Sequence, residues 1–374
     1  MRIVFVLHAP RDPMTAVFAH AAERGALLAS RGHRVEIWTH GDEPALTRIA
    51  SRWWPLAFPL RISRRLASDP PDLAIFHSYT GWAFHLLRRF RLRLRRVRTI
   101  VQFHGVETLH YRAMREEERR AGRDFPLKHR LLQTFAMPLL LRLSCRGAVR
   151  IFCLNRTEGD FLAARGWARK ERIEIVPNAA PEELLAHPPV DTTNPVRRLL
   201  FVGQWLEGKG IQYLAAAFAE LAAERPEIEL ACVGTRTPED SVRAAFPTGI
   251  RDRVKVQADA DRAEIAAALH AADLFVFPSL SEGSSLALLE AMTAGLPIVT
   301  TPVGAAPDLL INGEGALFAA PADAPALADA VRQLLDDPER RTRLGRAARL
   351  VAERYAWPRL RDAYARSIEK IGVA

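Results

Sequence analysis

The chain has 374 residues, of which 49% are hydrophobic and 26% charged, a composition typical of globular proteins that excludes a disordered or collagen-like chain. Its formal net charge of +10 is unevenly spread, because residues 1–200 carry 34 Lys and Arg against 19 Asp and Glu, whereas residues 201–374 carry 19 against 24. The basic first half predicts an anionic partner: nucleic acid, an anionic membrane surface or a phosphorylated substrate.

The cysteines Cys145, Cys153 and Cys232 form no C-x-x-C pair, which argues against a disulfide scaffold or a cysteine zinc site and favours a reducing, cytosolic setting. We expect no signal peptide, because the apolar run Met1–His8 is only as long as a strand. We also expect no membrane-spanning helix, because no run approaches the roughly 18 apolar residues that a span needs.

Short, continuous apolar runs alternate with helical patterns along the chain, as in parallel sheets that are covered on both faces. The predicted strands are, in chain order, Ile3–Leu7, Val35–Trp38, Leu73–Phe76, Thr99–Phe103, Val149–Leu154, Leu199–Val202, Ile228–Val233, Val254–Val256, Leu274–Phe277 and Ile298–Thr300. The pattern predicts an α/β protein with two doubly wound, Rossmann-like domains that face each other across a cleft. Ligands of such sheets bind beyond the carboxyl ends of the strands.

The predicted boundaries follow the composition of the connecting segments. Residues 188–197 are rich in Pro, Thr and Asn without an apolar period, which is typical of a linker. We therefore expect one domain over residues 1–187, a second over residues 198–356, and a C-terminal helix over residues 357–374 that packs back on the first domain.

A glycine-rich loop follows the strand Leu199–Val202 and carries Lys209 between Gly208 and Gly210. Backbone amides at a helix start attract phosphate, and a lysine adds positive charge. The spacing from Gly203 is one residue short of a P-loop, and position 210 lacks the Ser or Thr that binds Mg²⁺. A P-loop-like ATPase and a solvated turn lysine stay open as alternatives.

A second polar loop follows the strand Leu274–Phe277 and leads into a predicted helix. It places Glu282 at the mouth of the expected cleft, and Glu290 lies one to two turns into the helix. The helix-start amides suit a diphosphate, and a carboxylate such as that of Glu290 accepts hydrogen bonds from the vicinal hydroxyls of a ribose. Two glutamates at this spacing are ordinary surface charge without the strand–loop–helix context.

The chain resembles the GT-B-fold glycosyltransferases of family four, a large retaining family. The matching stretches of the second half are FVGQWLEGKG, VGT at Val233–Thr235, AADLFVFPSLSEGSSLALLEAMTAGLPIVTTPVGAAPDLL and GEGALF. The first half matches more loosely, in RGHRVEIWT, QFHGVE and VPNAA. The resemblance implies that the first domain binds the acceptor and the second binds a nucleotide-sugar donor.

The resemblance also implies individual roles. It assigns His104 and Glu282 to the reacting sugar, Lys209 to the donor diphosphate and Glu290 to the ribose. The remaining residues implied to bind the donor are Gly203, Gln204, Gly283, Ser284, Ser285 and Leu286, the last four through their amides. A packed histidine at a strand end is the alternative for His104.

Two departures from the family pattern bear on the site. The family usually has Arg where this chain has Gln204, so one positive charge toward the diphosphate is missing or comes from another Arg. The loop after the first strand, residues 9–15, lacks the usual glycines. This loop indicates an unusual acceptor, with Arg11 and Thr15 as candidate contacts.

The predicted function is transfer of a hexose from a UDP- or GDP-linked sugar to a hydroxyl of a glycan or lipid-linked acceptor, with retention at the anomeric carbon. The resemblance implies that no metal is bound, and no cofactor other than the nucleotide sugar is expected. The alternatives are a P-loop-like ATPase and a non-catalytic nucleotide-sugar-binding protein.

Residues 51–98 predict peripheral docking on an anionic membrane, with the protein at the cytoplasmic face and a lipopolysaccharide-type acceptor. The segment mixes Trp53, Trp54 and Phe58 with several arginines (Arg52, Arg61, Arg64 and Arg65), and Arg88–Arg98 is a dense basic tract. A solvated basic surface is the alternative.

Pro55 and Pro59 argue against a regular amphipathic helix in this region. Nucleic-acid binding is not expected, because no known binding module is present.

Overall fold

The computed structural model describes residues 1–12, 16–42 and 54–373 and divides into two compact units. The first unit comprises Met1–Tyr111, Asp124–Pro177 and Leu360–Ala374, and the second comprises Arg112–Arg123 and Asn178–Arg359. Apart from the residues that close the chain, the first unit thus ends at Pro177, before the predicted boundary at residue 187. The residues that close the chain group with the first unit.

The segment predicted as a linker, residues 188–197, is packed into the second unit. The guanidinium of Arg341, which is 2% exposed, donates to the carbonyl oxygens of Thr192 (3.1 Å) and Asn194 (2.7 Å). The amide of Val190 donates to the carbonyl oxygen of Ala294 over 2.9 Å. These bonds satisfy backbone groups that a free linker would expose to water.

The first unit contains a parallel six-stranded sheet in the order β2-β1-β3-β4-β5-β6 within the described residues. Its strands are β1 (Arg2–Leu7), β2 (Arg34–Thr39), β3 (Leu73–His77), β4 (Arg98–Gln102), β5 (Arg150–Cys153) and β6 (Ile173–Ile175). The central strands are continuous runs of buried apolar residues because helices cover both faces. Only the short edge strand β6 had no predicted counterpart.

Helices alternate with these strands. They are α1 (Ala16–Ser30), α2 (Trp54–Ser68), α3 (Trp82–Leu87), α4 (Glu107–Arg120), α5 (Leu127–Leu131), α6 (Met137–Gly147) and α7 (Arg156–Ala164). A π-helical turn, Leu132–Ala136, joins α5 to α6. Helix α4 belongs to the second unit from Arg112 onward.

Helix α2 corrects the expectation that Pro55 and Pro59 prevent a regular helix. Pro55 stands in the first turn, where a missing amide proton costs little, and Pro59 lies inside the helix. The hydroxyl of Ser63 donates to the Pro59 carbonyl oxygen over 2.5 Å. Phe58 is 2% exposed, so it packs in the core rather than facing solvent.

The second unit contains another parallel six-stranded sheet, in the order β12-β11-β10-β7-β8-β9 within the described residues. Its strands are β7 (Arg198–Val202), β8 (Glu229–Val233), β9 (Val254–Gln257), β10 (Leu274–Phe277), β11 (Ile298–Thr300) and β12 (Leu317–Phe318). Two parallel sheets, each covered by helices, confirm the predicted pair of Rossmann-like domains.

The helices of the second half are α8 (Glu182–Leu185), α9 (Ile211–Glu224), α10 (Glu239–Arg243), α11 (Arg262–His270), α12 (Leu286–Ala294), α13 (Ala306–Leu309), α14 (Ala324–Leu335), α15 (Pro338–Arg354) and α16 (Trp357–Val373). Helices α8 to α15 and the sheet enclose one apolar core, to which none of the described residues of α16 contributes. Among the described residues, no helix combines the length and the apolar character needed to cross a membrane.

Candidate functional site

The site in the second unit forms where β7 and β10 end side by side. The two strands pair in parallel, with Leu274 opposite Leu199, so the loops at their carboxyl ends meet. The amide of Leu280 donates to the Gly208 carbonyl oxygen over 2.9 Å, and the hydroxyl of Ser279 reaches the same oxygen over 3.1 Å. The two predicted donor loops are therefore bonded to each other.

Lys209 and Glu282 form an ion pair across this junction. Lys209 Nζ lies 2.6 Å from Glu282 Oε1, and the Ser279 hydroxyl donates to the same oxygen over 2.6 Å. Lys209 Nζ also lies 5.4 Å from the centre of the Phe277 ring. The side chains are 28% and 12% exposed, so both charges stay within reach of a ligand. The structure thus brings together two residues that lie 73 positions apart in the chain.

Two glycines allow these loops to approach so closely. Gly210 has φ +72°, and a Cβ added there would lie 1.9 Å from the Pro278 carbonyl oxygen. A Cβ added at Gly304 would lie 2.6 Å from the carbonyl oxygens of Glu282 and Gly283. Neither Ser nor Thr fits at position 210 without displacing backbone, which disfavours the P-loop alternative.

The start of α12 provides the predicted amides. The hydroxyl of Ser285 accepts a hydrogen bond from the amide of Leu288 over 3.3 Å and caps the helix. The side chain of Asn178 donates to the Ser284 carbonyl oxygen over 2.8 Å, and the amide of Ala305 donates to the Gly283 carbonyl oxygen over 2.8 Å. These bonds hold the loop that leads into the helix, and amides at a helix start that lack an intrahelical acceptor attract anions.

Glu290 lies on α12 and is half-buried. Among the described residues it has no hydrogen-bond or ion-pair partner. Burial raises the pKa of its carboxyl to about 7, against the opposing charge of Arg262. A carboxylate that is partly desolvated and unpartnered is suited to accept hydrogen bonds from hydroxyl groups.

Gly203 and Gln204 begin the first donor loop. Gly203 has φ +148°, and its amide donates to the Val233 carbonyl oxygen over 2.9 Å, which ties the loop to β8. Gln204 is exposed, and its carbonyl oxygen accepts from the amide of Leu206 over 2.9 Å. The side chain at position 204 therefore carries no positive charge, whereas the family usually has an Arg there.

His104 belongs to the first unit, at the carboxyl end of β4, and stands in a cluster of histidines. Its Nε2 lies 2.8 Å from Nδ1 of His77, which ends β3, and the two rings stack with centres 4.6 Å apart. The rings of His20 and His104 also stack, with centres 6.1 Å apart. Burial, and then the charges of His77 and Arg24, lowers the pKa of His104 well below its usual value.

This arrangement fixes the chemistry open to His104. In a neutral pair one of the two facing nitrogens, His104 Nε2 or His77 Nδ1, carries the proton and the other accepts the hydrogen bond, so His104 Nδ1 is the ring nitrogen outside this contact. Gly105 has φ +124°, and a Cβ added there would meet nothing within 4 Å. The contact with His77 agrees with the packed-histidine alternative, and the role of His104 at the reacting sugar stays a prediction.

Arg11 has structural partners. Its guanidinium lies 3.0 Å from Asp42 and donates to the Ile37 carbonyl oxygen over 2.8 Å, and the hydrogen bond with Asp42 raises its pKa. Half of its side chain is still exposed. Its contact with an acceptor stays a prediction, and Thr15 lies outside the described residues.

Three residues that position the site were not predicted from the sequence. Ser279 holds Glu282, Asn178 fixes the start of α12, and His77 binds His104. Their positions in the sequence could have indicated these three residues. Ser279 and His77 stand at or just after the ends of strands, and Asn178 lies in the stretch VPNAA. Within the parts of the chain that the structure describes, no group of three or more His, Cys, Asp or Glu is placed to hold a metal ion.

Comparison with known proteins matches both units. The family model of glycosyl transferases group 1 matches residues 196–337, and that of glycosyltransferase family 4 matches residues 17–184. A glycogen synthase from Mycobacterium tuberculosis is 37% identical over 152 residues, which cover 40% of this chain and 37% of that protein. The chain thus spans well under two thirds of this relative's length.

Solved structures show the same fold over the whole chain. Sucrose-phosphate synthase from Thermosynechococcus elongatus superposes with a TM-score of 0.78 at 21% identity, covering 99% of this chain and 98% of that one. Anabaena Alr3699/HepE in complex with UDP superposes with a TM-score of 0.71 at 16% identity, covering 99% and 100%. These likenesses confirm the GT-B fold.

Proposed function

The chain belongs to the family-four glycosyltransferases, and on that premise we propose that it is a retaining hexosyltransferase. Its donor is a UDP- or GDP-linked sugar, and its acceptor is a hydroxyl of a glycan or lipid-linked molecule at the cytoplasmic face of a membrane. No metal takes part. The three cysteines are free and buried, which fits a reducing compartment.

The observation that carries this proposal is the convergence at the ends of β7 and β10. Lys209, Glu282 and the fixed amides of α12 come together there, and Glu290 lies further along the same helix without a partner. One cation and a helix start suit a diphosphate, and two carboxylates suit the hydroxyl groups on either side of it. A nucleoside diphosphate sugar has this order of groups.

In the proposed reaction the bond between the anomeric carbon and the diphosphate oxygen breaks, and a bond from the acceptor oxygen to the same face of that carbon forms. Lys209 and the amides of α12 stabilise the charge that develops on the leaving diphosphate. That diphosphate takes the proton of the acceptor hydroxyl. Glu282 accepts hydrogen bonds from the sugar hydroxyls and orients the ring.

Donor binding rearranges the ion pair. The diphosphate competes with Glu282 for Lys209, and the sugar hydroxyls replace the ammonium group as donors to Glu282. The Ser279 hydroxyl keeps one carboxylate oxygen in place during this exchange. Before the donor binds, the two opposite charges therefore neutralise each other in this half-buried site.

A thermal-melting panel with UDP, GDP, ADP and ATP, each with EDTA or Mg²⁺, tests the donor assignment. A ligand that binds only the folded protein stabilises it by about 2.7 kcal/mol at a hundredfold excess over its Kd. We expect a shift with UDP or GDP in EDTA. A shift that requires both ATP and Mg²⁺ would refute the assignment.

A non-catalytic nucleotide-sugar-binding protein is the second candidate, and turnover separates it from the first. If the protein only binds, hydrolysis and transfer of a radiolabelled donor sugar stay at background with every acceptor extract although UDP raises the melting temperature. If it is the proposed enzyme, Glu282→Ala lowers transfer by orders of magnitude while UDP still binds.

A further inference from the structure

We propose that the first unit carries a docking surface for an anionic lipid bilayer, built from a pocket that binds lipid phosphate groups and from exposed apolar side chains that insert beside it. The pocket has a volume of about 640 Å³. We call it the arginine pocket, after the residues that give it its charge: Arg88, Arg89, Arg95, Arg146 and Arg172. The inference deepens the membrane part of the proposed function.

The arginine pocket lies at the opposite edge of the sheet from His104. Its residues come from the segments that lead into β4, β5 and β6, which begin at Arg98, Arg150 and Ile173. All three strands are parallel, so these segments share the amino-terminal edge of the sheet. His104 follows the carboxyl end of β4. The pocket is therefore a site separate from the residues assigned to catalysis within the same unit.

The charge of the pocket is not balanced by the protein. Within the described part of the chain, none of the five arginines has a carboxylate within ion-pair distance. Burial, and then the charge of Arg95, lowers the pKa of Arg88. Positive groups held together without a counter-charge gain free energy from any anion that enters.

Backbone carbonyl groups hold the arginines in this arrangement. Arg88 donates to the Arg95 carbonyl oxygen over 3.1 Å, and Arg95 donates to the Arg89 carbonyl oxygen over 3.0 Å. Each guanidinium keeps further N–H groups for an external acceptor. Two guanidinium groups fixed by backbone at a cavity match the several oxygens of a phosphate group.

Apolar side chains surround the arginines instead of the acidic residues that usually separate basic ones on a soluble surface. Leu86 and Val149 line the pocket and are 40% and 41% exposed. Phe90 and Leu92, which alternate with arginines in the turn beside it, are 82% and 73% exposed. Exposed apolar groups interleaved with arginines favour an interface between water and lipid.

A second apolar feature leads to the pocket along one helical face. Leu127, Leu131, Phe135 and Leu139 are exposed at four-residue spacing along α5, the π-helical turn and α6. Residues four apart share a helix face, and the next position in the series is Leu143, which lines the pocket. The row therefore ends at the arginines and extends the apolar surface by roughly 18 Å, at 1.5 Å per residue.

These features favour a bilayer over nucleic acid. Sites for single-stranded nucleic acid combine basic grooves with aromatic platforms on which bases stack. Here most of the exposed apolar residues are leucines, which insert among lipid chains but offer no flat ring. The surface also differs from the predicted one, since the core takes Phe58 and the additional residues come from α5 and α6.

Flotation of the full chain with vesicles tests the proposal. The vesicles contain phosphatidylcholine alone or phosphatidylcholine mixed with phosphatidylglycerol, at low and high salt. We expect binding to the anionic vesicles at low salt and release at high salt. The variant Arg89→Glu with Arg146→Glu should bind at least about thirtyfold more weakly, and Phe90→Ser with Leu92→Ser should also lose binding.

The matched control is Arg343→Glu with Arg346→Glu, two exposed arginines on α15 in the second unit. It changes the net charge by the same amount and should leave flotation unchanged. UDP-induced melting shifts show that each variant is folded, and they test the donor site independently of lipid.

Three results would overturn the proposal. The first is that wild-type protein fails to float with anionic vesicles. The second is that pocket and control variants lose binding equally, which would indicate a diffuse charge effect. The third is retardation of DNA at salt concentrations where no vesicle is bound, which would assign the surface to nucleic acid.

Discussion

Lys209→Met tests the ion pair on which the donor site depends. At 2.6 Å and an effective dielectric constant of about 40, the attraction between Lys209 and Glu282 is roughly 3 kcal/mol before desolvation is subtracted. Most of it is offset by the cost of partly burying both groups. Because the Ser279 hydroxyl still solvates Glu282, we expect the variant to unfold with about 1–2 kcal/mol less free energy.

The double variant Lys209→Met with Glu282→Gln separates stability from function. Removing the unpaired carboxylate should restore most of the lost free energy of unfolding. Activity should stay low, because the positive charge that faces the diphosphate is still missing. Loss of one such group costs about 10²–10³ in kcat where it stabilises a developing oxyanion.

Chemical denaturation measures the free energies, and release of UDP or GDP from the donor measures kcat and KM. The control is Lys255→Met, since Lys255 is 51% exposed and lies 3.5 Å from Glu229. It should change stability by less than about 0.5 kcal/mol and leave kcat unchanged. A Lys209→Met variant with kcat within twofold of wild type would contradict the role of Lys209 at the diphosphate, and a double variant no more stable than the single one would contradict the cost of the unpaired carboxylate.

Three further predictions follow from single positions. Because the carboxyl of Glu290 has its pKa raised to about 7, the folded state binds more protons than the unfolded one above pH 4.5, so its contribution lowers stability as the pH rises from about 4.5 to 7. The affinity for UDP, measured by calorimetric titration, should rise over the upper part of this range as Glu290 ionises. Glu290→Gln should show neither this rise in affinity nor the loss of stability. Gly210→Ala should lower the free energy of unfolding by several kcal/mol, because the added Cβ meets backbone. Gly234 has the same φ of +72° but open space around an added Cβ, so Gly234→Ala should cost only about 1 kcal/mol. Thermal melts measure both variants. His104 should stay neutral at pH 6 in ¹⁵N NMR spectra of its ring, and a doubly protonated ring at that pH would contradict the lowering of its pKa by burial.

The strands show what local pattern can reveal. Continuous apolar runs located ten of the twelve described strands, because a parallel strand covered on both faces must be apolar throughout. The two that were missed, β6 and β12, are three and two residues long and lie at sheet edges, where burial is incomplete. The prediction that proline prevents a regular helix at α2 is wrong, because tertiary packing of Phe58 outweighs the local cost of Pro59.

The site shows the limit of the same reasoning. The sequence indicated Lys209, Glu282 and Glu290 because each stands after a strand or on the helix that follows one. It gave no sign of Ser279 as the partner of Glu282 or of His77 as the partner of His104. These contacts depend on which strands are neighbours, and β7 pairs with β10 although two other strands lie between them in the chain.

The sequence by itself therefore indicated the fold class, ten of the twelve described strands and the candidate residues for a nucleotide sugar, because burial and helix-start chemistry are local properties. Only the tertiary structure decided that Lys209 meets Glu282, that the ring of His104 contacts that of His77, and that five arginines from distant segments surround one pocket. Each of these depends on strand order and on the packing of helices, and those follow from the free energy of the whole core rather than from any single segment.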